Sequence, residues 1–179
     1  MVTPLAINES PESAIHLFGS GTLTTPNTTS IAISYDPDLA PIGAAMTATV
    51  ISSSGESTTT EVTVSGLLPN RGYLVYAHTG VCGATAEAAG PRFQGRKAPT
   101  TTPHRPSNNQ RYADLSNEIW LYLRTDDAGA GTSRTSVPFT LTDRTPGSMV
   151  IHEGIQTSTG PDRAGEETAR LACLTLFMR

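Results

Sequence analysis

Short runs that alternate apolar and polar residues, each closed by a cluster of Gly, Pro, Asn, Asp or Ser, recur along almost the whole chain. This period of two constrains the fold more than any other feature, because it is the repeat of a strand with one buried face. The runs are "AIHLFGSGTL", "SIAISYDP", "AAMTATVISS", "TTTEVTVSGLLPN", "YLVYAHT", "NEIWLYLRTD", "TSVPFTLTD", "SMVIHEG" and "RLACLTLFM". They predict about eight or nine strands. No stretch sustains an i, i+3, i+4 apolar stripe for three turns; only "DRAGEETARL" suggests a turn of helix. The expected architecture is therefore all-β, a sandwich or barrel of short strands.

At 179 residues, with 37% hydrophobic and 16% charged side chains, the chain suits one buried core. Residues 1–13 carry two prolines and little periodicity, so they read as an N-terminal arm to a domain spanning 14–179. A net charge of −4 without a Lys/Arg cluster excludes nucleic acid as a partner. No apolar run approaches the roughly 18 residues of a membrane span, so the chain is not expected to be membrane-spanning. A basic-then-apolar leader is also missing, so a signal segment is not present in this chain and Met1 leaves its own origin open.

Between Cys82 and Asn117 there is no strand-like run, and a loop of that length in a compact domain is usually functional. The two cysteines, Cys82 and Cys173, lie half the chain apart, which fits neither a redox C-x-x-C pair nor a zinc knuckle. A long-range disulfide in an oxidising, extracytoplasmic setting is expected, stabilising by about 4–5 kcal/mol in the chain-entropy account.

In order, "VTVSGLLPNRGYLVYAHTGVCG", "AAGPRFQG", "YADLSNE", "MVIHEG" and "AGEETARLAC" resemble the successive signature segments of the copper/zinc superoxide dismutase family. The likeness runs from Thr22 to Leu176 and looks closest to a bacterial, actinobacterial-type branch. It implies that family's eight-stranded Greek-key β-barrel, with one long loop tethered by Cys82 and Cys173. It also implies a site. The family's His-x-His strand falls on Tyr76 and His78, its last copper ligand on His152, and its active-site arginine, a guide for the superoxide anion, on Arg170. An alternative register would set the His-x-His pair at Leu74 and Tyr76.

Several ligand positions depart from the pattern. The bridging histidine is Arg92, a zinc-site histidine is Arg111, and Asp114 stands where a zinc carboxylate would be. A guanidinium cannot bind a cation, and two imidazoles are few for a copper that must cycle between oxidation states. The resemblance thus implies a dismutase-like domain that has lost dismutase activity and acts as a structural or binding module, with no cofactor or with copper alone, and without zinc. The alternative is a copper-only protein with Tyr76, His78 and His152 as ligands, catalysing slow dismutation. A protein partner or larger assembly would meet the loop or the arm, through apolar tips such as Leu17, Phe18 and Phe93.

Plainer roles stand beside these. His78 at a strand end and His152 on a half-buried strand suit backbone hydrogen bonding; His16 reads as surface and His104 as a loop residue. Arg92 and Arg170 suit clamping the loop through its carbonyls. Asp114 suits capping its own turn. Glu166 and Glu167 would weaken anion steering, and Asn8 and Asn27 begin short glycosylation patterns. The functional reading requires positions 76, 78, 92 and 152 to meet at one point.

Overall fold

A computed structural model describes residues 14–53, 55–97, 114–154 and 168–179 of the chain. Among them are ten strands: β1 (Ile15–Thr22), β2 (Ala32–Ser34), β3 (Ala45–Ser52), β4 (Thr58–Ser65), β5 (Gly72–His78), β6 (Trp120–Arg124), β7 (Gly131–Val137), β8 (Ser148–Glu153), β9 (Arg170–Thr175) and β10 (Phe177–Met178). They form two five-stranded antiparallel sheets, in the orders β10-β1-β3-β4-β7 and β2-β9-β8-β5-β6. The molecule is thus an all-β, two-sheet protein.

The first sheet obeys the alternation read from the sequence. Met46, Ala48 and Val50 of β3 and Val62 and Val64 of β4 enter the core, while Thr47, Thr49, Thr59 and Thr63 face outward. Branched Thr side chains fit the half-solvated pleat. β7 lies earlier than the run "TSVPFTLTD" suggests: Gly131–Ser133 pair with β4, and the strand stops at Val137 because Pro138 has no N–H for a ladder.

The nine expected runs become ten strands through the break of "RLACLTLFM" at Leu176. There the backbone N–H bonds Gly147 O, and the chain crosses from one sheet to the other.

The second sheet is buried on both faces near the end of β5. Tyr73, Val75, Ala77, Met149 and Ile151 fill the core between the sheets. On the outer face Val150 and Cys173 pack with Ala89, Tyr35 and Cys82 in a second, smaller cluster. The cover is the segment after β5, which contains a 3-10 turn at Ala86–Ala89. The Cys82–Cys173 disulfide forms and pins this segment to β9. Gly80 N–H to Ala89 O, Ser148 Oγ to Gly80 O and Tyr35 Oη to Gly83 O add hydrogen bonds at 2.8, 2.7 and 2.7 Å.

Leu17 and Phe93, expected at exposed tips, are core residues instead, and Phe18 is partly covered by the Arg179 guanidinium. No described helix is long and apolar enough to cross a membrane. The arm 1–13, His104, Arg111, Glu166, Glu167, Asn8 and most of "DRAGEETARL" lie outside the described residues.

Candidate functional site

Even-numbered residues of β5 and β8 point to the outer face of the second sheet, and the alternation places Tyr76, His78 and His152 there together. Their backbones are separated along the ladder, with His78 opposite Ser148 and His152 opposite Leu74. The side chains nevertheless meet: His78 Nε2 lies 3.0 Å from His152 Nε2, and the Tyr76 ring stands edge-on to the His152 ring at a 4.7 Å centroid separation. Both imidazoles are fully buried. The register that would have put the pair at Leu74 and Tyr76 leaves Leu74 facing the backbone of His152, and it is His78 that reaches the second histidine.

Each ring is oriented from behind. His78 Nδ1 bonds Gly90 O at 2.8 Å and His152 Nδ1 bonds Thr168 O at 3.1 Å. A carbonyl oxygen only accepts, so an Nδ1 that bonds one carries the proton, and two neutral rings hold two protons for these two bonds and the Nε2–Nε2 contact. Burial disfavours protonation of both rings. It pushes His78 down to about 3 and His152 well below the ordinary histidine range, with Arg170 and Arg92 adding repulsion and His78 itself acting on His152.

Arg92 enters where the chain after the 3-10 turn runs back along β5. His78 and Arg92 form a β-bridge, Phe93 N–H bonds Ala77 O, and Gln94 bridges Glu118. The guanidinium therefore lies inside the molecule. Its Nε is 3.3 Å from Glu118 Oε1, and its carbon lies 4.9 Å from the Tyr76 ring centre and 5.7 Å from that of Trp120. Glu118 also accepts hydrogen bonds from Trp120 Nε1 at 2.9 Å and Gln94 Nε2 at 3.1 Å.

Burial raises the Glu118 carboxyl above its ordinary value, and Arg92, Gln94 and Trp120 oppose that rise. Asp114 adds to the rise, while the two hydrogen-bond donors and the guanidinium favour the charged form. The Tyr76 hydroxyl bonds Arg92, yet burial raises it overall, so it remains a phenol at neutral pH.

Arg92 is not an uncompensated charge: the carboxylate of Glu118 pairs with it. Glu118, Gln94 and Trp120 carried no role in the reading of the sequence. The one available signal was an acidic residue inside the strand-like run "NEIW".

Arg170 stands opposite His152 on β9, next to a bulge, and its Nη1 donates to Ala86 O at 3.0 Å. Asp114 caps its own turn: its carboxylate accepts from Ser116 N–H, and its carbonyl accepts from Asn117 and Glu118 N–H. Asn27 likewise closes a turn through its side chain, with Oδ1 accepting from Thr29 and Ser30 N–H.

Among the described residues no group of three or more His, Cys, Asp or Glu is placed to hold a metal ion. The donor set is two imidazole nitrogens beside a guanidinium and a protonated phenol. It does not fit a copper that cycles between oxidation states, which needs more nitrogen donors and an open face, nor a tetrahedral zinc.

The fold and the site together define a two-sheet, disulfide-tied β-protein with a buried histidine pair beside a buried ion pair. No protein-family model matches the chain, and no curated protein matches its sequence. Its fold is similar to the crystal structure of the clock protein EA4, at 13% identity and a TM-score of 0.51, with 100% of each chain covered. That likeness concerns the fold alone.

Proposed function

We propose that the chain is a superoxide dismutase-like domain of the Greek-key barrel type that has lost dismutase activity and serves as a structural or binding module outside the cytoplasm. The single observation behind this reading is the Arg92–Glu118 pair. A position that would bridge two metals in the resembled family carries a cation neutralised by a buried carboxylate, with 4% and 1% exposure. The disulfide suits an oxidising compartment. Retention of the Gly, Pro and Cys landmarks without the ligands is what a retained scaffold looks like.

The test is superoxide consumption by the purified protein after incubation with copper and zinc salts. Activity near buffer background is expected, and metal-dependent turnover well above it would refute the reading. The Tyr76→His/Arg92→His variant is expected to gain stoichiometric copper(II), since it returns two imidazoles to the same outer face.

A second reading, a copper-holding protein without turnover, is favoured by one feature: the Nε2 atoms of two buried imidazoles lie 3.0 Å apart.

A further inference from the structure

Trp120 is the single tryptophan of the chain, and its indole N–H donates to Glu118 Oε1 at 2.9 Å. The ring itself is half-buried, while the carboxylate is only 1% exposed. Indole and phenol are the side chains that most readily give up a single electron, and once oxidised each becomes a strong acid. Where the proton goes then decides which of them reacts. The hydroxyl of Tyr76 is bonded to the Arg92 guanidinium, which takes no proton, whereas the N–H of Trp120 already points at a base.

We propose that Trp120 and Glu118 form a one-electron donor site, at which a small oxidising radical takes an electron from the indole while the indole proton passes to the carboxylate. The N–H bond breaks, an O–H bond forms at Oε1, the indole is left as a neutral radical, and the oxidant leaves reduced by one electron. A reductant of the ascorbate class returns the electron, and the proton goes back along the same hydrogen bond. The site draws on none of the positions at which the resembled family holds metal.

The geometry suits this transfer. The 2.9 Å separation lies within the reach that proton transfer to a positioned base requires. Gln94 Nε2 at 3.1 Å from Oε2 and Arg92 Nε at 3.3 Å from Oε1 keep the carboxylate from turning away.

Oxidation adds one positive charge to the cluster. Left on the indole, that charge would sit in a ring whose centre is 5.7 Å from the guanidinium carbon. With the proton on Glu118 the ring is neutral, and the remaining cation is Arg92, flanked by the rings of Tyr76 and Trp120. Burial of the carboxyl favours its protonated form, in the same direction. The attraction of Arg92 for the carboxylate acts the other way, and it draws the proton back to the indole once the electron is restored. Access comes along β6, where Tyr122, two residues on and on the same face, is 45% exposed.

The experiment oxidises the whole, disulfide-intact chain by flash photolysis with tris(bipyridyl)ruthenium(III), followed by optical, electron-spin-resonance and infrared difference spectra. A neutral indolyl radical is expected, with loss of a carboxylate band and rise of a protonated carboxyl band at the same rate. Ascorbate should restore the starting spectrum. Glu118→Gln is expected to slow radical formation on the order of a hundredfold, and Trp120→Phe should abolish the pair of infrared changes.

If Glu118→Gln does not fold, the infrared bands of the wild type decide alone. An indole radical cation without a carboxyl band, or a neutral radical whose proton has gone to water, would overturn the role of Glu118. A radical on a tyrosine in place of Trp120, or a spectrum that ascorbate does not restore, would overturn the donor site itself.

Discussion

Arg92 and Glu118 form an ion pair at 3.3 Å inside the protein, joining the segment after β5 to the residues that lead into β6. Each is held from other sides as well: Tyr76 and Trp120 lie under the guanidinium, and Gln94 and Trp120 donate to the carboxylate. Taking two charges from water is costly, and the attraction between them offsets that cost only while both are present.

Glu118→Gln is therefore expected to destabilise the fold by about 3–5 kcal/mol, by leaving a buried guanidinium uncompensated. The Arg92→Met/Glu118→Leu double variant should lose less than either single change. Urea denaturation of the wild type, Arg92→Met, Glu118→Leu and the double variant tests this, and additive losses would show that the two side chains are not energetically coupled.

The Cys82–Cys173 bridge closes a loop with a sequence separation of 91. Its removal by Cys82→Ser/Cys173→Ser is expected to cost about 2–5 kcal/mol. The circular dichroism of the sheets should survive, because backbone and hydroxyl hydrogen bonds also hold the covering segment. Intact mass with and without reductant is expected to differ by two hydrogens; two free thiols before reduction would contradict both the bridge and an oxidising location.

Protonation couples to folding through the histidine pair. Free histidine titrates near 6.5, whereas burial holds His78 at about 3 and lowers His152. Between those limits the unfolded chain binds more protons, so stability is full above about pH 6.5 and declines as pH falls toward 3, by about 1.4 kcal/mol per pH unit for each proton. Urea midpoints across this range in metal-free buffer, compared with His152→Leu, read the effect. An unchanged slope in the variant would remove His152 from the account.

Gly147 precedes β8, where a Cβ would meet the backbone of Gly80 at 2.6 Å. Gly147→Ala should cost about 1–3 kcal/mol by overpacking and push the covering segment off the histidines. Faster exchange of the Gly80 amide, which bonds Ala89 O, would report that displacement; unaltered exchange would mean the segment has room to yield.

The strands were legible because one-face burial writes a period of two into the residues, as along β3 and β4. The ends were less legible. β10 has two residues, too short to carry a period of its own, and β2 keeps only three of the run "SIAISYDP"; the pairing of both depends on strands distant in sequence. Phe93 read as a loop tip because its neighbours are polar, yet its N–H bonds Ala77 O and its ring joins the core.

Local alternation, then, determined an all-β chain and the cysteines were there to be counted, while residues 76, 78, 92 and 152 were singled out by a resemblance to a known family. Folding alone decided what those residues do to one another. That Glu118 pairs with Arg92, that the carbonyls of Gly90 and Thr168 meet the Nδ1 atoms of the two histidines, and that the rings meet at their Nε2 atoms all depend on chain segments far apart in sequence. Charge pairing and lone-pair direction are set by distances of a few ångströms between such segments, and residue order does not encode those distances locally.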